Sequence, residues 1–433
     1  MEEKTDQQLR KLMRMLKTGT SAPLTVAEAA RQLSEEGFEE LEFQNTWGVK
    51  QGGKYFLKHH GTALIAFTVG ENLKFRDSFR MAAAHTDYPC LRIKPNPDLT
   101  SEGYCRLNVE VYGGAILNTW LDRPLGLSGR VAVKSHDVMH PGIRLVDCQR
   151  PLMVIPNLAI HQNREINKGI ELNCQTDLLP LVGTCSEEKL AERGLLSFLA
   201  EELGVKKEDI LDYELWVTSL QQPEIAGFWN DFLVSPRLDN LTSVQALVSG
   251  IIQGNRDRGF NVIALFDHEE IGSRGKQGGA SLLLPNVLEK ICECFGWTSM
   301  QRQEAIYSSM LLSVDVAHGL HPNYQGKMDL TNHPVLNGGL CIKESSTQSY
   351  VTDCEAVAIV EQICQSKGIS YQKYVNRSDI KGGSTLGGIV SNLVPVPTVD
   401  VGVPILAMHS SAETMGARDQ AELVQLITSF FSL

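Results

Sequence analysis

Five short segments place histidine or carboxylate in tight local context: AHTDYP (Ala84–Pro89), SPRLDN (Ser235–Asn240), FDHEEIGS (Phe266–Ser273), SVDVAHGLHPNY (Ser313–Tyr324) and AMHSSAET (Ala407–Thr414). From them a pool can be drawn: the imidazoles His85 and His409, the carboxylates Asp239, Glu270 and Asp315, and a further Glu269. A hydrolytic site built on two divalent ions, roughly 3.5–4 Å apart, needs such a pool. It requires N and O ligands, one bridging carboxylate, and a water deprotonated between the cations. The charges close: two dications are balanced by three carboxylates and a bridging hydroxide. Imidazole and carboxylate without thiolate suit zinc, with manganese or cobalt as substitutes. Glu269 is then left over as the base. It can differ in role from Glu270 because consecutive side chains diverge where a loop leaves a strand. Asp87 lies two residues past His85, on the same side of an extended chain, where it would hydrogen-bond the second ring nitrogen and fix the tautomer.

Singly, each segment has a plainer explanation. A strand-end histidine is usually satisfied locally, a Glu-Glu pair is usually a solvated face, and an Asp at a helix start is usually an N-cap. Competing chemistries fail on their own terms. The H-E-x-x-H pattern would need histidine at position 272, where Gly272 stands. The glycine-rich run Lys381–Gly388 lacks a following Gly-Lys-Ser/Thr, and a nucleophile elbow around Ser384 breaks at Leu386. No dinucleotide-binding G-x-G-x-x-G follows an early strand. None of the ten cysteines forms a C-x-x-C, so a zinc ribbon or thioredoxin-like site finds no support. They read as small buried hydrophobes in a reducing compartment, outside the chemistry.

The elements that must carry these residues change texture along the chain. Leu9, Leu12, Met13 and Leu16 recur at helical spacing, and Thr25 with Glu28 predicts a capping box for a second helix. Runs at 54–58, 61–69 and 79–84 predict strands, the last ending at His85. From about Tyr88 to Val182 short strands with Gly and Pro punctuation predict an antiparallel sheet or barrel, followed by a helix over Ser186–Leu203. After about Pro223 strands and helices alternate, which predicts a largely parallel or mixed sheet covered on both faces. The fold class is therefore α/β: a mixed-sheet catalytic domain, 1–88 and 224–433, interrupted by an inserted β-rich domain, 89–223. Four of the five segments fall at or near strand ends, where such sheets bind ligands. The fifth, SPRLDN, precedes a helix.

The bulk composition narrows partners. With 40 Lys+Arg against 51 Asp+Glu the net charge is −11, which disfavours nucleic acid and anionic membranes. No secretory signal or apolar stretch of membrane-spanning length is visible, so the expectation is a cytoplasmic protein.

Taken together and in order, AHTDYPCLRIKP, YGGAILNTWLDRPL, IPNLAIHQNR, SPRLDNL, DHEEIGS, VDVAHGLHPNY, VNRSDIKGGSTLGGI and VDVGVPILAMHS closely resemble the aspartyl aminopeptidase family of dinuclear zinc peptidases, in its bacterial form. The resemblance implies two zinc ions per subunit. His85, Asp239 and Asp315 would hold one, and Asp239, Glu270 and His409 the other, with Asp239 bridging. It makes Glu269 the general base and Asp87 the residue orienting His85. It implies that the β-rich domain serves dimerisation and that dimers assemble into dodecamers. His161 would be lent to a neighbouring subunit's active site. Substrates would be peptides with a free N-terminus, with Asp or Glu first and Lys343 anchoring that side chain beside Tyr350 and His318. The chain departs from relatives at Leu340-Cys341 and over 377–381, which bears on pocket shape. A preference for neutral first residues, a two-zinc deacylase or amidohydrolase, and a catalytically silent assembly protein are the rival readings. A net negative protein repels an acidic substrate, so any acidic preference must come from local cations, the zincs and Lys343.

Overall fold

Runs that are apolar at nearly every position, not every second one, mark strands covered on both faces. Phe260–Phe266 (FNVIALF) is buried throughout, and Phe79–His85 nearly so. The computed structural model, which describes residues 2–169, 171–184, 189 and 192–433, places both at the centre of a mixed sheet. Among the described residues that sheet has nine strands, in the order Glu39–Glu40, Lys54–His59, Ala63–Val69, Phe260–Phe266, Phe79–His85, Met310–Val314, Thr398–Gly402, Leu340–Glu344 and Tyr371–Val375. The four strands from Phe260–Phe266 to Thr398–Gly402 run parallel, with antiparallel partners outside them. Alternate residues face two separate cores. Ala82, Ala84, Ile263 and Leu265 pack beneath Glu2–Thr18, Ala22–Glu35, Leu238–Gln253, Cys354–Lys367 and Asp419–Phe430. Met81, Ala83, Val262 and Ala264 pack beneath Leu283–Cys294, Ser299–Tyr307 and Leu386–Leu393. A five-stranded sheet in the same unit joins Glu224–Ala226, Phe232–Ser235, Glu413–Gly416, Pro404–Leu406 and Ala317–His318.

Contacts divide the chain into two units. The first, just described, comprises Met1–Asp87, Pro223–Met408 and Glu413–Leu433; the second comprises Tyr88–Gln222 and His409–Ala412. The second unit is a six-stranded antiparallel sheet, ordered Gly142–Met153, Leu125–Val133, Ile210–Ser219, Cys90–Ser101, Tyr104–Tyr112 and Leu181–Thr184. Its two edges meet through one bridge between Val154 and Leu181. Leu91, Val109, Leu127, Val131, Leu215 and the helix Leu195–Leu203 fill its core.

Several elements differ from the sequence expectation. The second helix begins at Ala22, with Ser21 as its cap residue and Pro23 in the first turn. Thr25 and Glu28 therefore lie inside it, because proline's fixed φ suits a helix's first turn. A true capping box, Thr298 with Gln301, opens Ser299–Tyr307 instead. The expected strand over 310–317 splits: Met310–Val314 stays in the large sheet while Ala317–His318 pairs with Pro404–Leu406. Of the expected helix Ser186–Leu203, the part Leu195–Leu203 is helical; residues 185–188, 190 and 191 lie outside the described residues. Cys105 is disulfide-bonded, and Cys174 and Cys354 are exposed, so the cysteines are not uniformly small buried thiols. No described helix is long and apolar enough to cross a membrane.

Candidate metal centre

Parallel pairing puts Phe266 directly opposite His85, so both strands release their next residues at one edge. The Met310–Val314 strand flanks Phe79–His85 on the other side and releases Asp315 at the same edge. Asp239 enters from the first turn of Leu238–Gln253, where its backbone is not helical (φ −80°, ψ 105°). The peptide bond from Asp239 to Asn240 is cis. His85 Nε2 lies 3.3 Å from Asp239 Oδ1 and 3.6 Å from Asp315 Oδ1. These three residues offer ligand atoms all within 4.8 Å of one another, as do His85, Glu269 and Glu270. His85, Asp87, Asp239 and Asp315 are all buried.

The opposite ring nitrogen sets the tautomer. His85 Nδ1 sits 3.0 Å from the main-chain oxygen of Asp87 and 3.4 Å from its Oδ1. Donation there would let Nε2, once it loses its proton, turn a lone pair to a metal ion among the carboxylates. The Asp87 carboxylate also accepts the backbone N–H of Glu269 (3.1 Å) and of Glu270 (3.2 Å). Asp87 thus holds the main chain of the Glu-Glu pair as well as lying beside the imidazole. That chain is strained: His268 and Ser273 are non-glycine residues with φ of 66° and 57°, at about 1–3 kcal/mol each.

The electrostatics are those of acids crowded together. Burial alone would lower the His85 pKa, but Asp239, Asp315 and Asp87 hold it well above its ordinary value. Burial, then the nearby Asp239, raises Glu270 well above the carboxylate range. Glu269 is pushed up to about 8 by burial; His85 opposes this, while Asp315, Asp87 and Asp239 add to it. Such a group of donors, one imidazole among carboxylates and no thiolate, fits a hard or borderline divalent ion such as zinc.

Lys343, Tyr350 and His318 share one neighbourhood beside Asp315. The Lys343 ammonium is buried, donates to Val316 O at 3.0 Å, lies 3.8 Å from Asp315 Oδ2 and sits 5.0 Å above the Tyr350 ring. Tyr374 links the other two, its ring 6.0 Å from both Tyr350 and His318. Two further candidates belong to the second unit. His409 has φ 68° and brings Nδ1 to 3.1 Å from Gly114 O. His161 is exposed on a loop past Ile155.

Among the buried acids that the sequence reading did not single out are Asp400 and Glu413. Asp400 accepts from Ser313 Oγ, Thr385 Oγ1 and the Val351 N–H. Glu413 accepts the Asp239 N–H at 3.1 Å. Glu413 lies within the AMHSSAET segment, where only the histidine stood out.

The family described as aminopeptidase I zinc metalloprotease (M18) matches residues 16–431. The chain belongs to the M18 family. It is a zinc metallopeptidase of the aminopeptidase class. A relative in Clostridium acetobutylicum, a probable M18 family aminopeptidase 2, is 42% identical over 402 residues, 93% of each chain. Among solved structures, the Ape4 and Nbr1 complex aligns with a TM-score of 0.94 at 33% identity, over 99% of this chain and 86% of that one. An S. cerevisiae mApe1 dodecamer aligns at 0.83 and 25% identity, over 98% and 96%.

Proposed function

We propose that this M18 aminopeptidase removes acidic N-terminal residues from peptides, using two zinc ions and Glu269 as general base. The observation that supports it most is the meeting of His85, Asp239 and Asp315 within 4.8 Å, with Glu269 and Glu270 held beside them. His85, Asp239 and Asp315 would hold one ion; Asp239, Glu270 and His409 would hold the second. Zinc bound there would polarise the scissile carbonyl and bring a shared water's pKa to about 7. Glu269 would take the water's proton and return it to the leaving amine, a task for a carboxylate poised near neutrality. Asp87 would keep Glu269 in place through its backbone N–H. The free α-amine would lie against the carboxylates, which restricts cleavage to the chain terminus. Lys343 is the buried cation that would answer an acidic side chain, with Tyr350 and His318 shaping its surroundings. His161 would donate to the developing oxyanion of a neighbouring subunit, in dimers built through the β-rich unit and assembled as in the mApe1 dodecamer.

Hydrolysis of Asp-, Glu-, Leu- and N-acetyl-Glu-p-nitroanilide by the zinc-loaded protein tests the proposal. Fastest cleavage of the acidic pair, and none of the acetylated compound, is expected. Equal cleavage of the acetylated compound would point to a deacylase instead. Metal content near two per chain checks the ion count, and sedimentation checks the assembly.

A further inference from the structure

We propose that Glu413 is a positioning residue for Asp239, the shared ligand of the proposed two-metal site on which this inference rests. Asp239 stands where regular structure gives it no help. Arg237 just before it is left-handed at φ 63°, and Asp239 and Asn240 both depart from helical angles inside the first turn of Leu238–Gln253. A helix's first N–H groups lack partners within the helix, and a buried N–H needs an acceptor. Glu413 supplies one: its Oε2 lies 3.1 Å from Asp239 N. The sheet register explains why it can. Phe232–Ser235, which leads through Pro236 into Asp239, pairs antiparallel with Glu413–Gly416, and Ser235 sits opposite Glu413.

The far side of the same peptide is held as well. Asn240 Nδ2 donates to Val314 O at 3.0 Å, and Val314 directly precedes Asp315. Asp239 is therefore fixed between Glu413 and the strand that delivers the next ligand. Glu413 is 2% exposed. A buried carboxylate added to an already acidic neighbourhood is costly unless its oxygen does something there. Accepting the Asp239 N–H sets the direction in which the Asp239 side chain leaves, and hence where its oxygens meet a metal.

The test is Zn2+ affinity, measured by competition with a chromophoric chelator, in the full-length protein and in Glu413→Gln, Glu413→Ala and Glu413→Asp. Glutamine keeps an acceptor oxygen at the same reach and should bind within threefold of the parent. Alanine removes it and should bind 10–100-fold more weakly, the usual cost of losing a group that orients a ligand. In the alanine variant kcat on Glu-p-nitroanilide should fall at limiting zinc and recover at excess zinc, with KM unchanged. Should alanine fail to fold, aspartate takes its place: it keeps the charge but retracts the oxygen by one methylene, and should also bind at least tenfold more weakly. Parent-like affinity in the folded alanine variant, or in aspartate where alanine does not fold, overturns the inference. So does a glutamine variant as weak as alanine, which would mean that the charge matters and the acceptor does not. If the parent itself binds no Zn2+, the two-metal reading fails first, and the two failures are told apart.

Discussion

Asp239 and Asp419 are both buried acids in the first turn of a helix, and they are satisfied in opposite ways. Asp419 opens Asp419–Phe430 and accepts two backbone N–H groups, from Asn337 at 2.8 Å and Gly339 at 2.9 Å. Its partners are donors fixed by the fold, and a helix start favours negative charge besides. The Asp239 side chain instead faces His85 Nε2, in a cluster with Asp315 and Glu270 nearby. At Asp419 the fold supplies the donors, and none of them belongs to the metal centre. At Asp239 acids gather around one imidazole, an arrangement suited to a bound cation. The same two acids also show that helix position alone does not decide function.

The sharpest test of that contrast is a pair of variants expected to separate completely. Glu269→Gln should lower kcat by about 10²–10⁴-fold while leaving metal content and thermal midpoint unchanged. Asp419→Ala should do the reverse. Stranding two buried N–H groups should cost about 2–5 kcal/mol of stability, seen as a lower denaturant midpoint. Well below its melting temperature the folded variant should keep its kcat within threefold. Loss of metal from folded Asp419→Ala, or full activity in Glu269→Gln, would break the comparison.

Protons should distinguish the two acids next. In the metal-free protein His85 and Glu270 are held well above their ordinary values and Glu269 is at about 8. Ligands must shed protons to bind metal, so Zn2+ affinity should rise by at least tenfold from pH 6 to pH 8. Calorimetry in buffers of different ionisation enthalpy should register the released protons. Asp419 runs with the opposite sign for stability. Burial raises it from 3.8 to about 7, against the pull of its two N–H donors. A raised carboxyl contributes stability in full below about pH 4 and loses it as pH climbs to about 7. The stability of the parent relative to Asp419→Asn should therefore fall across that range and level off above it.

How much of this was legible without coordinates depends on the length of the signal. The grouping of His85, Asp239, Glu270 and Asp315 was expected from the family resemblance, while the strand-end positions of His85 and Asp315 were readable from the apolar runs before them. The doubly covered sheet was visible in Phe260–Phe266 for the same reason. The five-stranded sheet was not, because its members run from two to four residues, Ala317–His318 among them. Too short a run carries no periodicity. Glu413 was hidden likewise: one glutamate in a four-residue strand looks like a solvated side chain until its register with Ser235 is known. Asp87's grip on two backbone N–H groups could not be read from spacing, since it joins residues 182 and 183 positions apart. Cys105 gave no sign of its disulfide, because isolated cysteines carry no pairing information.

Lys343 bears on the contrast with the smallest expected effect. It is a buried cation already engaged, donating to Val316 O and lying 3.8 Å from Asp315 Oδ2. In one respect it resembles the donors around Asp419, because the fold supplies a positive group to an acid. In another it belongs to the metal centre, because that acid is a candidate ligand. Lys343→Met keeps the length and apolar stem while removing the charge. If the ammonium answers an acidic substrate, the kcat/KM ratio of Asp- to Leu-p-nitroanilide should fall about tenfold, ~1.4 kcal/mol of transition-state discrimination. The Leu rate itself should change little. If instead the ammonium serves Asp315, both rates should drop together with zinc affinity and the ratio should hold. A fixed ratio would move Lys343 to the structural side of the comparison, and any preference for acidic residues would then have to rest on the metal ions alone.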